Sequence, residues 1–447
     1  MRIPIITVMA KQEPLVESAL AAIGRRDRTI PLRGAEMPGG VELDPDFAAV
    51  PLGSGEGWEA SLAEFGPTSS PQFAVRGFID ADDPTNIPHS VGGQPIFADP
   101  VIAPFLTCIG TPPVGGTADV RRKLSLAALA ARGLNGTNIA VAIMDTGINL
   151  QYLSTKTSAT PLFDAAASWT PNGSTTAPGT HPVAHGTMCA FDVLLAAPRA
   201  TLLDFPILGT PVPGGAMTGS TLSVALVAYA QLIAFWAVAF APGGAAQYRG
   251  LVVNNSWGIF HPSWDFPAGH PGRYIDNPNH PFNIIVSVLA RSGADILFAA
   301  GNCGASCPDG RCRNNTTQTI TGAAATSAVF TLAGCDINDL RVGYSSQGPS
   351  IAGMLANKPD ATAYTHFLGS EVFGTNTPDS GTSAACPVAA GCIAAIRTNL
   401  SPQTVPPANL FAQLRSTARK ATPGASWNGD YGYGIIDADA AARSLGV

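Results

Sequence analysis

The sequence predicts an α/β protein, a parallel sheet with helices on both faces, preceded by a small N-terminal α+β domain. Three observations carry this. From about residue 118 onward short apolar runs alternate with helix-length stretches, the pattern of strands joined by crossover helices. Of the 447 residues, 46% are hydrophobic and only 13% charged, which suits a large buried core with little material for salt-bridge networks. Residues 1 to 107 differ in texture from the remainder, and a Gly/Pro-rich linker at 108–117 separates the two. The expected division is therefore 1–107, a linker at 108–117, and a main domain at 118–447.

The elements follow in order. "IPIITVMA" reads as a strand and "EPLVESALAAIGRR" as an amphipathic helix. A loop rich in Gly, Pro and acidic residues runs from about 34 to 70, and "FAVRGFI" and "QPIFADPVI" are further strands. After the linker, "TADVRRKLSLAALAARG" reads as one helix leading to the strand "NIAVAIMD". A helix begins at "HGTMCAFDVLLAA", followed by the strands "ATLLDFPIL" and "GLVVNNSWG" with a long apolar segment between them. The helix "NIIVSVLARSG" then precedes the strand "DILFAAGN". In such sheets ligands sit at the carboxyl ends of the strands, here Asp145, "NNSWG" and "GN".

Residues 221–242 carry no charge and are long enough to cross a bilayer. Gln231 at the centre and a strand soon after point instead to a core helix, and no membrane span is expected. A net charge of -6 and the lack of any Lys/Arg-rich stretch argue against nucleic acid as a partner. The N-terminus lacks the long apolar segment and cleavage site of a secretory signal. Either the protein works inside the cell or a leader has been removed, and the cytoplasm is the expectation. Cys303, Cys307 and Cys312 are close enough for a disulfide, and no second CxxC or His pair completes a zinc pattern. Cys189, Cys386 and Cys392 lie in small-residue apolar runs and read as buried fillers. "DADDPTN" lacks the glycine and distal Glu of a calcium loop. No metal or cofactor is expected.

Four pieces carry chemistry. Asp145 stands where an apolar strand meets a Gly-containing turn, a place from which a carboxylate can hold an imidazole in one tautomer. His185 precedes Gly186 at a helix start, displayed with little steric cover. Ser383, in "DSGTSAACPVAAGC", begins another helix, whose end N–H groups can face developing negative charge. Asn302 ends the strand "LFAAGN", with its amide placed to donate to an oxyanion. Each piece alone is commonplace; four at strand ends and helix starts are not an accident.

At these residues the chain resembles the subtilisin-type serine proteases, the subtilases, from roughly 118 to 445. The order Asp145, His185, Ser383 is theirs. The resemblance implies a subtilisin-like fold and peptide-bond hydrolysis through an acyl-enzyme, with His185 as base and acid, Asp145 holding the imidazolium, and Ser383 as nucleophile. Asn302 and the Ser383 backbone N–H would bind the oxyanion. Ser256, Trp257 and Gly258 would pair with an extended substrate, and Ala299, Ala300 and Gly301 would line its path before Asn302. Trp257 is either a wall of the S1 pocket, which takes the residue before the cleaved bond, or core. Asp265 is either a selector of basic residues there or a solvated loop carboxylate. Small residues around Ser383 would keep the approach clear, with Thr382 bonding locally. The resemblance implies that residues 1–107 are either a propeptide that helps the protease fold and occludes its site, with any cleavage falling between about Phe105 and Asp119, or an accessory domain with no inhibitory role. "QPIFADPVIAPF" resembles the end of such a propeptide, lying along the groove.

The sequence departs from the family at Met188, at "AACP" after Ser383, and at the cysteine-rich stretch after Asn302. The last lies beside the expected S1 pocket, so substrate preference does not carry over. An α/β-hydrolase would need Gly-x-Ser-x-Gly and the order Ser, acid, His, which Ser383 does not offer. The other alternative is a catalytically inactive subtilase serving as a binding scaffold, although all four positions are filled.

Overall fold

The computed structural model describes residues 1–10, 36, 37, 41–44, 47, 49–52, 72–81, 83, 86–104, 111–211, 218–239, 247–420 and 426–447. Its N-terminal part is an antiparallel sheet built from β1 (Arg2–Ala10), β2 (Glu36–Met37), β3 (Val41–Leu43), β4 (Val50–Pro51), β5 (Gln72–Asp80), β6 (Ser90–Val91) and β7 (Gln94–Ala98). The order is β2-β3-β5-β1-β7-β6, with β4 also on β5. The helix expected at 13–26 and most of the loop expected at 34–70 lie outside the described residues.

The single strand expected at "QPIFADPVI" is two strands, β7 and β8 (Val101–Pro104). The break falls at Asp99 and Pro100. Asp99 is buried, and its carboxylate accepts Nε of Arg76 at 2.7 Å and both N–H and Oγ of Ser223 at 2.8 and 2.9 Å. Pro100 has no N–H to continue a ladder. The chain therefore leaves one sheet at Ala98 and enters another at Val101.

The helix expected after the linker is also divided, into α1 (Thr117–Lys123) and α2 (Leu126–Ala131), with Ser125 between them at φ 54°. The break lets Leu124 and Leu126 both reach the core, which residues two apart on a continuous helix do not do. Beyond it come β9 (Ile139–Asp145), α3 (Leu150–Lys156), β10 (Leu162–Phe163), α4 (His185–Ala196), β11 (Thr201–Pro206), β12 (Thr210–Pro211), β13 (Thr218–Thr221) and α5 (Leu222–Ala239). Then follow β14 (Gly250–Asn255), β15 (Trp257–Gly258), α6 (Pro281–Arg291), β16 (Asp295–Ala299), β17 (Phe330–Cys335), β18 (Ala361–Tyr364), α7 (Thr382–Arg397), α8 (Pro407–Thr417) and α9 (Ala438–Ser444).

Seven of these strands form the parallel sheet, in the order β10-β11-β9-β14-β16-β17-β18. The chain moves from β9 to β11 on one side and returns past β9 to β14 on the other. That reversal opens a crevice at the carboxyl ends of β9 and β14, the place where such sheets bind ligands. Strand β9 is buried on both faces. Ile139, Val141 and Ile143 join the cluster packed with α4 and α7, and Ala140, Ala142 and Met144 join the cluster packed with α5 and α6. Ile6, Val8, Ala74 and Ile102 belong to that second cluster, so the N-terminal sheet shares a core with the main domain.

All sixteen residues of α7 are buried. An ideal Cβ on Gly391 would lie 2.3 Å from the Val193 carbonyl oxygen of α4, so a side chain there would push the two helices apart. The small residues after Ser383 thus serve the packing of α7 on α4. Helix α5 is long and apolar enough to cross a membrane, the one such helix among the described residues. It lays Leu222, Leu226, Tyr229 and Trp236 against the core and exposes Gln231, with Trp236 Nε1 donating to the Ser292 carbonyl at 2.9 Å. One face of the helix packs on the core and the other is exposed, where the sequence suggested a helix buried in the core; residues 240–242 lie outside the described ones.

Candidate active site

Asp145 is the last residue of β9 and is fully buried. His185 is the first residue of α4, and its Nδ1 lies 2.8 and 2.9 Å from the two Asp145 carboxylate oxygens. The Thr146 N–H donates to the same carboxylate at 2.7 Å. These contacts fix Nδ1 as the protonated nitrogen and leave Nε2 as the basic one. Nε2 is buried with no hydrogen-bond partner.

Ser383 sits in the first turn of α7, and its Oγ donates to the Ser256 carbonyl at 3.2 Å. The bond from Ser383 to His185 is not made in this rotamer, and catalytic bonds of this kind are often long before substrate binds. Four residues on, Pro387 lies inside the helix and has no N–H for the Ser383 carbonyl. That carbonyl instead accepts Ser256 Oγ at 3.1 Å and Cys189 Sγ at 3.6 Å. The nucleophile is thereby tied to the end of β14 rather than to its own helix.

Asn302 follows β16. Its Oδ1 accepts the Thr382 N–H at 2.9 Å and Thr382 Oγ1 at 3.0 Å, which assigns the amide orientation and makes Nδ2 the outward donor. Thr382 does not bond locally as the sequence suggested. It reaches Asn302 and the Gly301 N–H, the latter at 3.0 Å. Gly381, at φ 81°, takes a backbone that other residues rarely adopt, and an ideal Cβ there would lie 2.8 Å from Asn302 Nδ2.

Of the expected substrate-binding residues, Trp257, Gly258, Ala299 and Ala300 line one pocket together with Thr319 and Thr321. Trp257 lines this pocket and is core: it is buried, with its ring centroid 5.5 Å from Phe298 and 5.7 Å from Phe282. Gly301 is tied to Thr382 instead of lining the pocket. Asp265 is neither of the two things the sequence allowed. Its carboxylate accepts the N–H groups of Phe266, Ile275 and Tyr274 at 2.7, 2.8 and 2.9 Å, and burial pushes its pKa up to about 6. It holds two loop segments together.

Asp145, His185 and Cys189 bring a carboxylate, an imidazole and a thiol within 4.8 Å of one another, the one such group of three among the described residues. Nδ1 of His185 is already engaged by Asp145. Burial, and then Asp145, push the Cys189 thiol well above its usual pKa, so its neutral form favours a hydrogen-bonded cluster over a ligand set. Cys303 and Cys312 form a disulfide, and Cys307 is disulfide-bonded as well. Cys189, Cys335, Cys386 and Cys392 are free and buried.

A second pair of carboxyls links the same elements. Asp192 on α4 receives no N–H or O–H hydrogen bond; its partner is Asp379, four residues before Ser383. Asp379 also accepts Ser370 Oγ and N–H, each at 2.6 Å. Burial, and then Asp379, raise the Asp192 pKa well above the carboxylate range, burial raises Asp379 to about 6, and burial raises Asp204 to about 7. Such groups hold a proton in the fold that they lose when unfolded, so they cost stability as pH climbs from about 4 through their folded values. His181, His270, His280 and His366 are lowered by burial, His280 to about 3, and cost stability as pH falls below about 6.5. Between about pH 4 and 6.5 the two sets of groups oppose each other, and above about 6.5 only the carboxyls act. The thermal midpoint of the Ser383→Ala protein is therefore expected to decline from about pH 6.5 to pH 8. A midpoint rising from about pH 6.5 to pH 8 would mean that Asp192 is ionised in the fold.

Sequence reasoning missed Thr382 as the brace of Asn302 and the Asp192–Asp379 pair. Both depend on contacts between distant segments, and no local pattern marks them.

Comparison with known proteins gives two findings. The family described as the subtilase family, Peptidase S8, matches residues 136–434. Among solved structures, the crystal structure of MycP1 from the ESX-1 type VII secretion system is similar over 77% of this chain and 91% of that one, at 18% identity and a TM-score of 0.48.

Proposed function

The chain belongs to the subtilase family, and from that premise we propose that it is a serine endopeptidase held in check by its own N-terminal domain. The observation that carries the first part is the buried pairing of His185 Nδ1 with Asp145 at 2.8 and 2.9 Å, in a crevice shared with Ser383 and Asn302. His185 Nε2 takes the Ser383 proton as Oγ attacks the peptide carbonyl. Asp145 stabilises the imidazolium, and Asn302 Nδ2 receives the oxyanion. The protonated imidazole then gives its proton to the leaving amine, and water repeats the cycle on the acyl-enzyme. Filled catalytic positions with this geometry weigh against an inactive scaffold, and turnover of casein by the purified protein decides between the two.

The second part is supported by where β8 lies. It runs antiparallel between β13 and β15, with Val101 opposite Thr221, Ile102 opposite Ser220, Ala103 opposite Gly258 and Pro104 opposite Trp257. An extended substrate would pair with β15 in this way. Trp257, opposite Pro104, follows Ser256, whose carbonyl accepts Ser383 Oγ. β8 therefore ends beside Ser256, and a peptide bond just after β8 is the natural first target. From Pro112 on, the linker is pinned: Pro112 O lies 3.1 Å from His366 Nε2, Val114 N–H donates to His366 O at 2.8 Å, and Gly115 O accepts Leu368 N–H at 2.9 Å. We place any self-processing between Phe105 and Pro112. N-terminal sequencing after incubation should find new ends there in the wild type and a full-length Ser383→Ala chain. A wild type that stays whole and fully active would leave the protease and remove the inhibitor. Structural disulfides persist in oxidising compartments, so the Cys303–Cys312 bond leads us to place the protein outside the cytoplasm.

A further inference from the structure

We propose that Arg311 is a substrate-binding residue that grips the backbone carbonyl of the second residue before the cleaved bond. The proposal rests on the reading of β8 as lying where substrate lies. The cysteine-rich stretch after Asn302 is a loop closed by the Cys303–Cys312 disulfide. It is also tied back to Asn302 by the Asp309 N–H, which donates to the Asn302 carbonyl at 2.8 Å. A side chain at its tip is thus fixed relative to the oxyanion donor.

At that tip a 3₁₀ turn, Gly310–Cys312, is capped by the Asp309 side chain. The Arg311 guanidinium is held on two sides. Its Nε and Nη2 donate to the two Asp309 carboxylate oxygens at 3.0 and 2.9 Å. Its Cζ lies 3.6 Å from the centroid of the Phe260 ring. Fork pairing and stacking together pre-organise a guanidinium, which an ammonium could not match. From this position Nη2 also donates to the Pro104 carbonyl at 2.9 Å.

The partner is informative. Proline has no N–H, so the carbonyl is the only backbone hydrogen-bonding group Pro104 offers. With Pro104 opposite Trp257, a substrate that lies as β8 lies and is cut one residue further on presents this carbonyl from the second residue before the cleaved bond. Every peptide substrate presents a carbonyl at that position whatever its side chain. A cationic donor there binds any sequence in the correct register and adds the strength of a charge-assisted bond. Because Arg311 is already ion-paired and stacked, little rotamer freedom is lost when substrate arrives.

The test compares two chromogenic substrates on the protein purified from the full chain. One is acetyl-Ile-Ala-Pro-Phe p-nitroanilide, which copies residues 102–105. The other is p-nitrophenyl 3-phenylpropanoate, which carries the phenylalanine ring but nothing at the preceding position. Any residual occupancy by β8 affects both equally and cancels in the ratio of their kcat/KM values. Arg311→Ala should lower that ratio about tenfold, mainly through KM, the loss expected for one charge-assisted hydrogen bond. If Arg311→Ala keeps the wild-type ratio, Arg311 does not bind substrate and the proposal is overturned, while the groove reading stands. If the wild type turns over acetyl-Phe p-nitroanilide, which has the same leaving group but no residue before phenylalanine, as fast as the tetrapeptide anilide, the groove reading fails and the proposal falls with it. Should Arg311→Ala be inactive on the ester, Arg311→Met retains the stem over Phe260 and takes its place. Loss of ester turnover in both variants would assign Arg311 to loop structure alone and overturn the proposal.

Discussion

Replacing Ser383 by alanine is expected to lower kcat on a peptide substrate by roughly a millionfold, because the members of such a triad act as a unit. The loss should come without damage to the fold. Ser383 is fully buried, and its Oγ donates to the Ser256 carbonyl at 3.2 Å, while the backbone hydrogen bonds within α7 do not involve the hydroxyl. The Ser383 carbonyl would still accept Ser256 Oγ. Thermal unfolding of the variant should therefore track the wild type once autolysis is suppressed. Labelling by a fluorophosphonate, which needs only a nucleophilic Oγ beside a base, should vanish. Undiminished labelling in the alanine variant would remove Ser383 from the reaction.

Asn302→Ala should lower kcat on the order of 10²–10³ with little change in KM, because the amide meets negative charge only as the transition state forms. Here the structure adds a complication that can be measured. Oδ1 of Asn302 accepts both the N–H and Oγ1 of Thr382, so alanine also leaves two buried donors without a partner, at a cost of about 1–3 kcal/mol. The alanine variant should melt below the wild type. Asn302→Asp keeps an acceptor for Thr382 but has no donor for the oxyanion. It should restore much of the thermal stability and none of the activity. If the aspartate variant regains turnover, Asn302 acts by bracing α7. A change confined to KM would assign it to substrate binding.

The four candidate catalytic residues could be picked out of the sequence because each sits at a local boundary. Asp145 ends a run of apolar residues, His185 and Ser383 open helices beside glycine or threonine, and Asn302 closes a strand. Strand ends and helix starts are written in nearest-neighbour sequence, and the sheet order then brings the four together. The split of "QPIFADPVI" was not legible, because it depends on Asp99 finding Arg76 and Ser223, residues far away in the chain. Asp265 was misread for the same reason: its three N–H partners come partly from a segment about ten residues on. A carboxylate in a loop looks solvated until the loop is folded around it. The break between α1 and α2 follows from the burial of both Leu124 and Leu126 in the cluster packed with α4 and α7, which no periodicity within the segment reports.

Strand β8 is bordered on one side by β13 and on the other by β15. Neighbouring strands lie about 4.8 Å apart, so its departure would leave two unpaired edges roughly 10 Å from each other. That gap is one polypeptide wide. A helix, at about 10–12 Å across with its side chains, neither fits between the edges nor offers free backbone groups to them, and a strand already paired on both sides has none to give. The protein would thus read the conformation of its targets before their sequence, cutting tails, linkers and loops that can be drawn out straight. For a folded target, the speed of cleavage would be set by how often the target opens, with the protease acting on the small open population.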